Sequence, residues 1–451
     1  MKTLILAGGR GARLWPLSRL FMPKQFVKVL DDESLFQKTV RRALIFSDPE
    51  EIFVVTNREY KFHVIDDLEA LGVEVPKENI LLEPQIKNTL PAICYGMKVI
   101  GSGKVAVLPS DHLVDANENY VRAFRTAERL ADEFLVTFGI KPKHPHTGYG
   151  YIKPGSPLGD AYAVEEFKEK PSPEMAEEYV RSGYLWNSGM FLFDVKVFFE
   201  EVKKHAPDVY EVFETFEDVE EAYEKLPEVS VDYGVLEKSS RVAVVPMETY
   251  WNDLGSFDAI YEVMEKDENG NAKKGEIIST GSRGNLVIAE RLTALVDVED
   301  LVIVDTDDAL LVASKGSTQK VKDVCYELER RKDRRAAMHK TEYKPWGNVT
   351  LLEEGERYKI KKIVVRPGRR LSLQRHYHRS EHWVVVRGTA KAFVDGKEFI
   401  LRPGESTFIP IGALHRLENP GKVTLEVIET QIGEYLEDDD IERIEDDYGR
   451  V

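Results

Sequence analysis

Between Leu4 and Phe26 the chain reads LILAGGRGARLWPLSRLFMPKQF, and the spacing of its glycines and cations suits one kind of chemistry. Leu4, Ile5 and Leu6 read as the end of a buried strand, and Gly8, Gly9 and Gly11 follow, with Arg10, Arg13 and Lys24 among them or close behind. Glycines after a strand let the backbone turn sharply and bring bare N–H groups against phosphate oxygens. Nearby cations neutralise the charge that builds up during phosphoryl or nucleotidyl transfer. The run lacks the Gly-Lys-Ser/Thr ending of a P-loop, and its glycine spacing departs from the dinucleotide fingerprint. An ordinary turn would also accept these glycines, so the residues around them must decide.

The continuation is more specific: Arg13-Leu14, Pro16-Leu17-Ser18 and Pro23-Lys24. That string resembles the signature of the sugar-phosphate nucleotidyltransferases, and its Pro-Lys-Gln-Phe ending resembles their mannose-1-phosphate guanylyltransferase branch. The resemblance implies GTP and mannose 1-phosphate as substrates. It places the nucleotide on Leu6, Ala7, Gly8, Gly9 and Gly11, and phosphate charge on Arg13 and Lys24. Glu83, Asn88 and Thr89 would help to hold the nucleobase, although Asn and Thr are also good helix caps. Asp111 follows an apolar run, where a carboxylate serves as a turn residue or as a ligand for Mg²⁺, which takes few carboxylates and keeps its waters. The resemblance pairs it with Asp253 as the second magnesium ligand. It also implies Gly150, Glu169 and Asn187 around the sugar and Lys170 on the sugar phosphate. If residues 167–171 continue a strand, Glu169 and Lys170 point to opposite faces. Asn187 precedes an apolar strand read at 190–193, within a surface turn on the plainest reading.

From Trp346 the pattern changes to short strands with Gly-Pro turns, the sign of a small barrel. Gly368, Gln374, His376, Glu381 and Gly388 match the spacing of the first cupin motif, with glutamine in place of the usual first histidine. Gly404, Pro410, Gly412, His415 and Asn419 match the second. Alternation along a strand turns Gln374, His376 and His378 to one face, and the set Gln374, His376, Glu381 and His415 suits Zn²⁺, Mn²⁺, Fe²⁺ or Co²⁺. The longer string from Gln374 to Trp383 resembles the isomerase domain of bifunctional phosphomannose isomerase/mannose-1-phosphate guanylyltransferases. It implies a second activity on mannose 6-phosphate, with His378 and Arg416 as further catalytic candidates. Two rivals stand beside this reading. In one the cupin is a non-catalytic binding or oligomerisation module; in the other the whole chain senses nucleotide sugars.

The elements that must position these residues follow from periodicity. Short apolar strands at 52–56, 104–108 and 135–140 alternate with helical patterns, one of them opened by a capping box at Ser34 and Gln37. This predicts an α/β fold with a mixed, mostly parallel Rossmann-like sheet, whose ligands gather beyond the carboxyl ends of its strands. Short strands recurring from 275 to 313 resemble the β-roll or β-helix appended to these transferases. The expected domains are 1–270 for transfer, 271–340 for the β-roll and a linking helix, 341–435 for the cupin barrel, and 436–451 for an acidic tail.

Composition sets the outer bounds. At 451 residues two or three domains are expected, and 42% hydrophobic with 31% charged residues describes a globular chain. A net charge of −17 argues against nucleic acid as a partner. No apolar run reaches the roughly 18 residues of a membrane span, so no membrane partner is expected. Two distant cysteines, Cys94 and Cys325, and no secretory pattern suggest a cytoplasmic enzyme, and a homo-oligomer stays open. Residues 434–447 hold nine carboxylates against Arg443 alone, which reads as a solvated tail, helical if ordered.

Overall fold

The computed structural model describes residues 1–9 and 11–449, so Arg10 lies outside the described residues. The chain divides into two compact units, Met1–Ala337 and Met338–Val451. No helix among the described residues is long and apolar enough to cross a membrane.

In the first unit a nine-stranded mixed sheet runs Ile80–Glu83, Ile52–Asn57, Lys2–Leu6, Lys104–Pro109, Leu185–Asp194, Leu135–Ile140, Val242–Pro246, Ala161–Lys168, Tyr151–Leu158. The first four are mutually parallel. Their continuous apolar runs are explained by burial on both faces. Ile5, Val54, Ala106 and Leu108 enter one core, while Leu4, Val55, Val105 and Val107 alternate into the other. The register sets Leu6 beside Pro109, and the Ser110 amide donates to the Leu6 carbonyl at 3.0 Å. The glycine loop and Asp111 therefore leave the sheet at the same end. The predicted capping box is present: the Ser34 hydroxyl accepts from the Gln37 amide at 3.0 Å, and the Gln37 side chain accepts from the Ser34 amide at 2.9 Å.

A two-residue ladder brings in the other half of the site. Trp251–Asn252 pairs antiparallel with Leu113–Val114, which carries Asp253 to the neighbourhood of Asp111. Beyond it, Ala272–Lys274, Leu286–Ala289 and Leu301–Thr306 stack in parallel as successive coils. Asn285 lies inside the stack, donating to the Asn271 side-chain oxygen and accepting from the Leu301 amide, both at 2.9 Å. Helix Val321–Arg330 closes this part.

The second unit is a β-barrel of two sheets around Trp383, Val385, Leu417 and Val427. Its acidic end is helical only over the short 3₁₀ turn Asp438–Asp440 and is not simply solvated. Ile441–Glu445 forms an antiparallel strand on Leu373–His376. The carboxylates meet cations of the barrel wall, Glu442 with Arg375 at 2.6 Å and Asp447 with Arg370 at 2.7 Å. Charge that a residue count leaves unmatched is matched across the ladder.

Candidate active sites

A cavity of about 370 Å³ opens beyond the strand ends and is lined by Leu6, Gly8, Gly9, Glu83, Asn88, Thr89 and Asp111. Lys24 is buried beside it, its Nζ 2.9 Å from Asp111 Oδ2 and 2.6 Å from the Asp253 carbonyl oxygen. Gly11 makes this placement possible. Its φ is +59°, and a Cβ there would lie 2.6 Å from Lys24 Cβ. Burial alone would raise the Asp111 pKa, but the Lys24 ammonium and His112 hold it down to about 2. Asp253 Oδ1 accepts from the Tyr149 hydroxyl at 2.9 Å and from the Gly255 amide at 3.1 Å. Glu83 is buried under Gly8 and accepts from the Tyr223 hydroxyl at 3.0 Å; burial pushes its carboxyl up to about 7. Asn88 caps helix Thr89–Ile100 at φ 71°, ψ −173°, a conformation that costs a side chain about 1–3 kcal/mol. Strain of that size at the wall of a cavity fits a binding role for Asn88.

Gly150, Glu169, Lys170 and Asn187 form a second cluster. A Cβ on Gly150 would run into the Glu169 carboxylate. Asn187 is clamped: its Oδ1 accepts from the Thr137 hydroxyl at 2.9 Å, and its Nδ2 donates to Asp232 Oδ1 at 3.0 Å. Strand Leu185–Asp194 includes Asn187, so this residue belongs to the sheet and not to a preceding turn. Glu169 and Lys170 do not face opposite ways. Strand Ala161–Lys168 stops before them, Lys170 takes φ +48°, and its ammonium lies 3.3 Å from the Glu169 carboxylate. Burial, reinforced by Asp232, raises the Glu169 pKa, and burial raises that of Asp232.

In the barrel His376, Glu381 and His415 are each 1% exposed, with ligand atoms mutually within 4.8 Å. His376 Nε2 is 3.0 Å from Glu381 Oε1, and His415 Nε2 is 3.6 Å from Glu381 Oε2. Gln374 joins them, its Nε2 3.5 Å from His376 Nε2. His415 Nδ1 is 2.9 Å from the Ala413 carbonyl oxygen, which can only accept, so Nδ1 carries the proton and Nε2 turns its lone pair to the cluster. That Nε2 is buried without a hydrogen-bond partner among the described residues. Glu381 is held by Trp383 Nε1 at 3.1 Å and Gln431 Nε2 at 3.0 Å. Against burial, the two imidazoles and Arg379 keep Glu381 below the ordinary carboxylate range.

A nucleotidyl transferase family model matches residues 2–270, a mannose-6-phosphate isomerase C-terminal model 331–446, and a β-helix model of the same group 275–328. The chain is 42% identical to the alginate biosynthesis protein AlgA of Pseudomonas aeruginosa, covering 100% of this chain and 98% of the relative. It is equally 42% identical to the mannose-1-phosphate guanylyltransferase ManC of Salmonella typhimurium, covering 99% and 98%. The chain belongs to the nucleotidyl transferase family. A Thermus thermophilus crystal structure described as mannose-1-phosphate geranyltransferase superposes on this transferase with a TM-score of 0.67. The two are 35% identical, over 73% of this chain and 99% of that one.

The isomerase domain carried by this transferase implies a divalent metal, and the barrel fits one: two imidazoles, a carboxylate and an amide converge, with an orphaned lone pair at their centre. Several expected residues lie elsewhere. Ala7 is turned into the core, its carbonyl accepting from Gln25 and Thr56 at 3.0 Å. Arg13 is exposed and does not line the cavity. His378 follows the end of strand Leu373–His376, is 60% exposed, and pairs with Asp440 at 2.7 Å outside the cluster. Arg416 adjoins His415 in one strand and so takes the opposite face, where it pairs with Glu445.

The transferase also holds functional groups that sequence reasoning missed. Asp232 lines the glycine-loop cavity and clamps Asn187 from a π-helical turn, Asp232–Leu236, a form common at functional sites. Its run Asp-Tyr-Gly-Val-Leu carries no periodic signal. Glu429 and Gln431 lie inside the barrel, and their alternation along strand Leu425–Gly433 was available to find them. Burial, then the charge of Glu381, pushes the Glu429 pKa up.

Proposed function

We propose that the first unit transfers the guanylyl group of GTP to α-D-mannose 1-phosphate, giving GDP-mannose and pyrophosphate. In the same reading the second unit interconverts mannose 6-phosphate and fructose 6-phosphate. The observation that carries the first half is Lys24, set between Asp111 and the Asp253 backbone beside the glycine-loop cavity. An ammonium held there occupies the place of a cation among oxygen donors, so the pair fits Mg²⁺, which would screen the triphosphate when bound. Lys24 then turns to phosphate oxygens, the loop amides hold the nucleotide, and Arg13, exposed outside the cavity lining, adds positive charge. The sugar phosphate oxygen attacks the α-phosphorus, the bond to the β-phosphate oxygen breaks, and pyrophosphate leaves. No strong base is needed, because the nucleophile is already anionic. Positioning and electrostatics carry the step. Glu169 and the Asn187 amide, fixed by Asp232, bind sugar hydroxyls, and Lys170 meets the sugar phosphate.

In the barrel Gln374, His376, Glu381 and His415 would hold Zn²⁺, Mn²⁺, Fe²⁺ or Co²⁺, which polarises a sugar carbonyl and its neighbouring hydroxyl when bound. Trp383 and Gln431 orient Glu381, and the Ala413 carbonyl fixes the His415 tautomer. A panel of nucleoside triphosphates against hexose 1-phosphates, read by pyrophosphate release, tests the first half. GTP with mannose 1-phosphate should be used best, and a better pair would overturn the assignment. Metal-loaded protein given mannose 6-phosphate tests the second. Failure to form fructose 6-phosphate would leave the cupin as a binding or oligomerisation module.

A further inference from the structure

Arg379 opens strand Arg379–Arg387, two residues before Glu381, so both side chains share its inward face. The Arg379 side chain is 1% exposed, and its Nε lies 3.5 Å from Glu381 Oε1. That Nε makes no hydrogen bond among the described residues, so the two groups attract by charge without closing. A guanidinium that closes on a carboxylate comes to about 2.7–2.9 Å.

The other end of the guanidinium explains the gap. Its Nη1 donates to the Glu437 carbonyl at 3.0 Å and lies 3.9 Å from Asp440 Oδ2. Both partners belong to the carboxyl-terminal turn, Asp438–Asp440 with its cap Glu437. The buried Asp440 carboxylate is itself fixed: it accepts from the Tyr377 and His378 amides, each at 3.2 Å, and lies 2.7 Å from His378 Nδ1. The next residue, Ile441, pairs with His376, so the turn is pinned to the strand that carries Gln374 and His376. Glu381 Oε1 has little to spare, since a carboxylate oxygen offers about two lone pairs. The Gln431 amide takes one at 3.0 Å, and a guanidinium that closed in would take the one a metal needs. Arg379 is thus a competitor for the metal, stationed beside its ligand.

We propose that the carboxyl-terminal turn, through Asp440 and the Glu437 carbonyl, anchors Arg379 away from Glu381 and so keeps that carboxylate open to the metal, a positioning role that rests on the barrel holding a metal and not on turnover of any sugar. The test uses the full chain, freed of metal, as wild type, Asp440→Asn, Arg379→Gln and the double variant. Each is titrated with Co²⁺, followed by its visible absorption and by competition with a chelator; the signal that His415→Ala abolishes is the barrel's. Asp440→Asn keeps an acceptor for the backbone amides but loses the charge. It should weaken barrel binding about 10- to 100-fold, the size of one charged hydrogen bond. In the Arg379→Gln background the same substitution should change nothing, because the competitor is gone. Equal losses in both backgrounds would make Asp440 a support of the fold alone and overturn the proposal, as would no loss in either. Arg379→Gln by itself should bind Co²⁺ more tightly than wild type, and it carries the test should Asp440→Asn fail to fold. Equal or weaker binding there would overturn the proposal. A wild-type chain with no signal that depends on His415 refutes the metal reading itself, whereas wild-type binding together with any failure above refutes the anchor alone.

Discussion

Replacing Gly11 by alanine should disable guanylyl transfer through Lys24 without touching a single charged group. Gly11 sits at φ 59°, ψ 39°, where a side chain costs about 1–2 kcal/mol. The added Cβ would fall 2.6 Å from Lys24 Cβ and 3.0 Å from Lys24 N, against the roughly 3.5–4.0 Å of a comfortable carbon contact. The root of Lys24 must therefore retreat by about 1 Å. Its bonds to Asp111 and the Asp253 carbonyl, now 2.9 and 2.6 Å, would lengthen past hydrogen-bonding range. Losing one charge-assisted bond of about 1.5–3 kcal/mol corresponds to about a 10- to 100-fold drop in kcat/KM for pyrophosphate release. The first unit should also melt a few degrees lower, while isomerase turnover stays unchanged. Lys24→Gln separates the two effects, since it should reproduce the kinetic loss with no backbone penalty. A Gly11→Ala protein with lowered melting and wild-type transfer kinetics would refute the reasoning, because the loop would then bend without moving the lysine.

Glu83 gives a pH signature. Burial raises its pKa from 4.5 to about 7, so the folded chain binds more protons than the unfolded one across that window, and stability falls as pH rises through it, by up to about 3 kcal/mol. Glu83→Gln should flatten that slope in melts taken at pH 5 and 7.5; an unaltered slope would remove Glu83 as its source. Asp232→Ala frees the Asn187 amide and should raise KM for the sugar phosphate about 10-fold with a smaller change in kcat, measured by initial rates. His378→Ala should keep isomerase activity within about threefold, the imidazole being engaged with the buried Asp440 carboxylate outside the cluster. A thousandfold loss would put His378 back in the chemistry.

The parts that were legible in the sequence are local ones. A glycine turn after an apolar run, a capping box and two spaced cupin motifs are properties of neighbouring residues, and the structure builds each where it was expected. The errors at Lys170 and His378 share one physical cause. The period-2 argument was carried past the end of a strand, beyond Lys168 in one case and His376 in the other, where the backbone no longer alternates. Arg416 was the reverse case: alternation from His415 was enough to turn it outward. Asp232 depends on a π-helical turn fixed by tertiary packing, and the acidic end depends on cations far away in sequence, so neither is visible to a local reading.

The pairing of Trp251–Asn252 with Leu113–Val114 has a kinetic implication. Asp253 is delivered by a ladder two residues long, beside a sheet whose strands are buried on both faces. So short a rung parts far more cheaply than the sheet and can do so while the rest of the unit stays folded. Unzipping two rungs would withdraw the arm that carries Asp253, and amide hydrogens at 113–114 and 251–252 should exchange well ahead of those at 4–6 and 105–108.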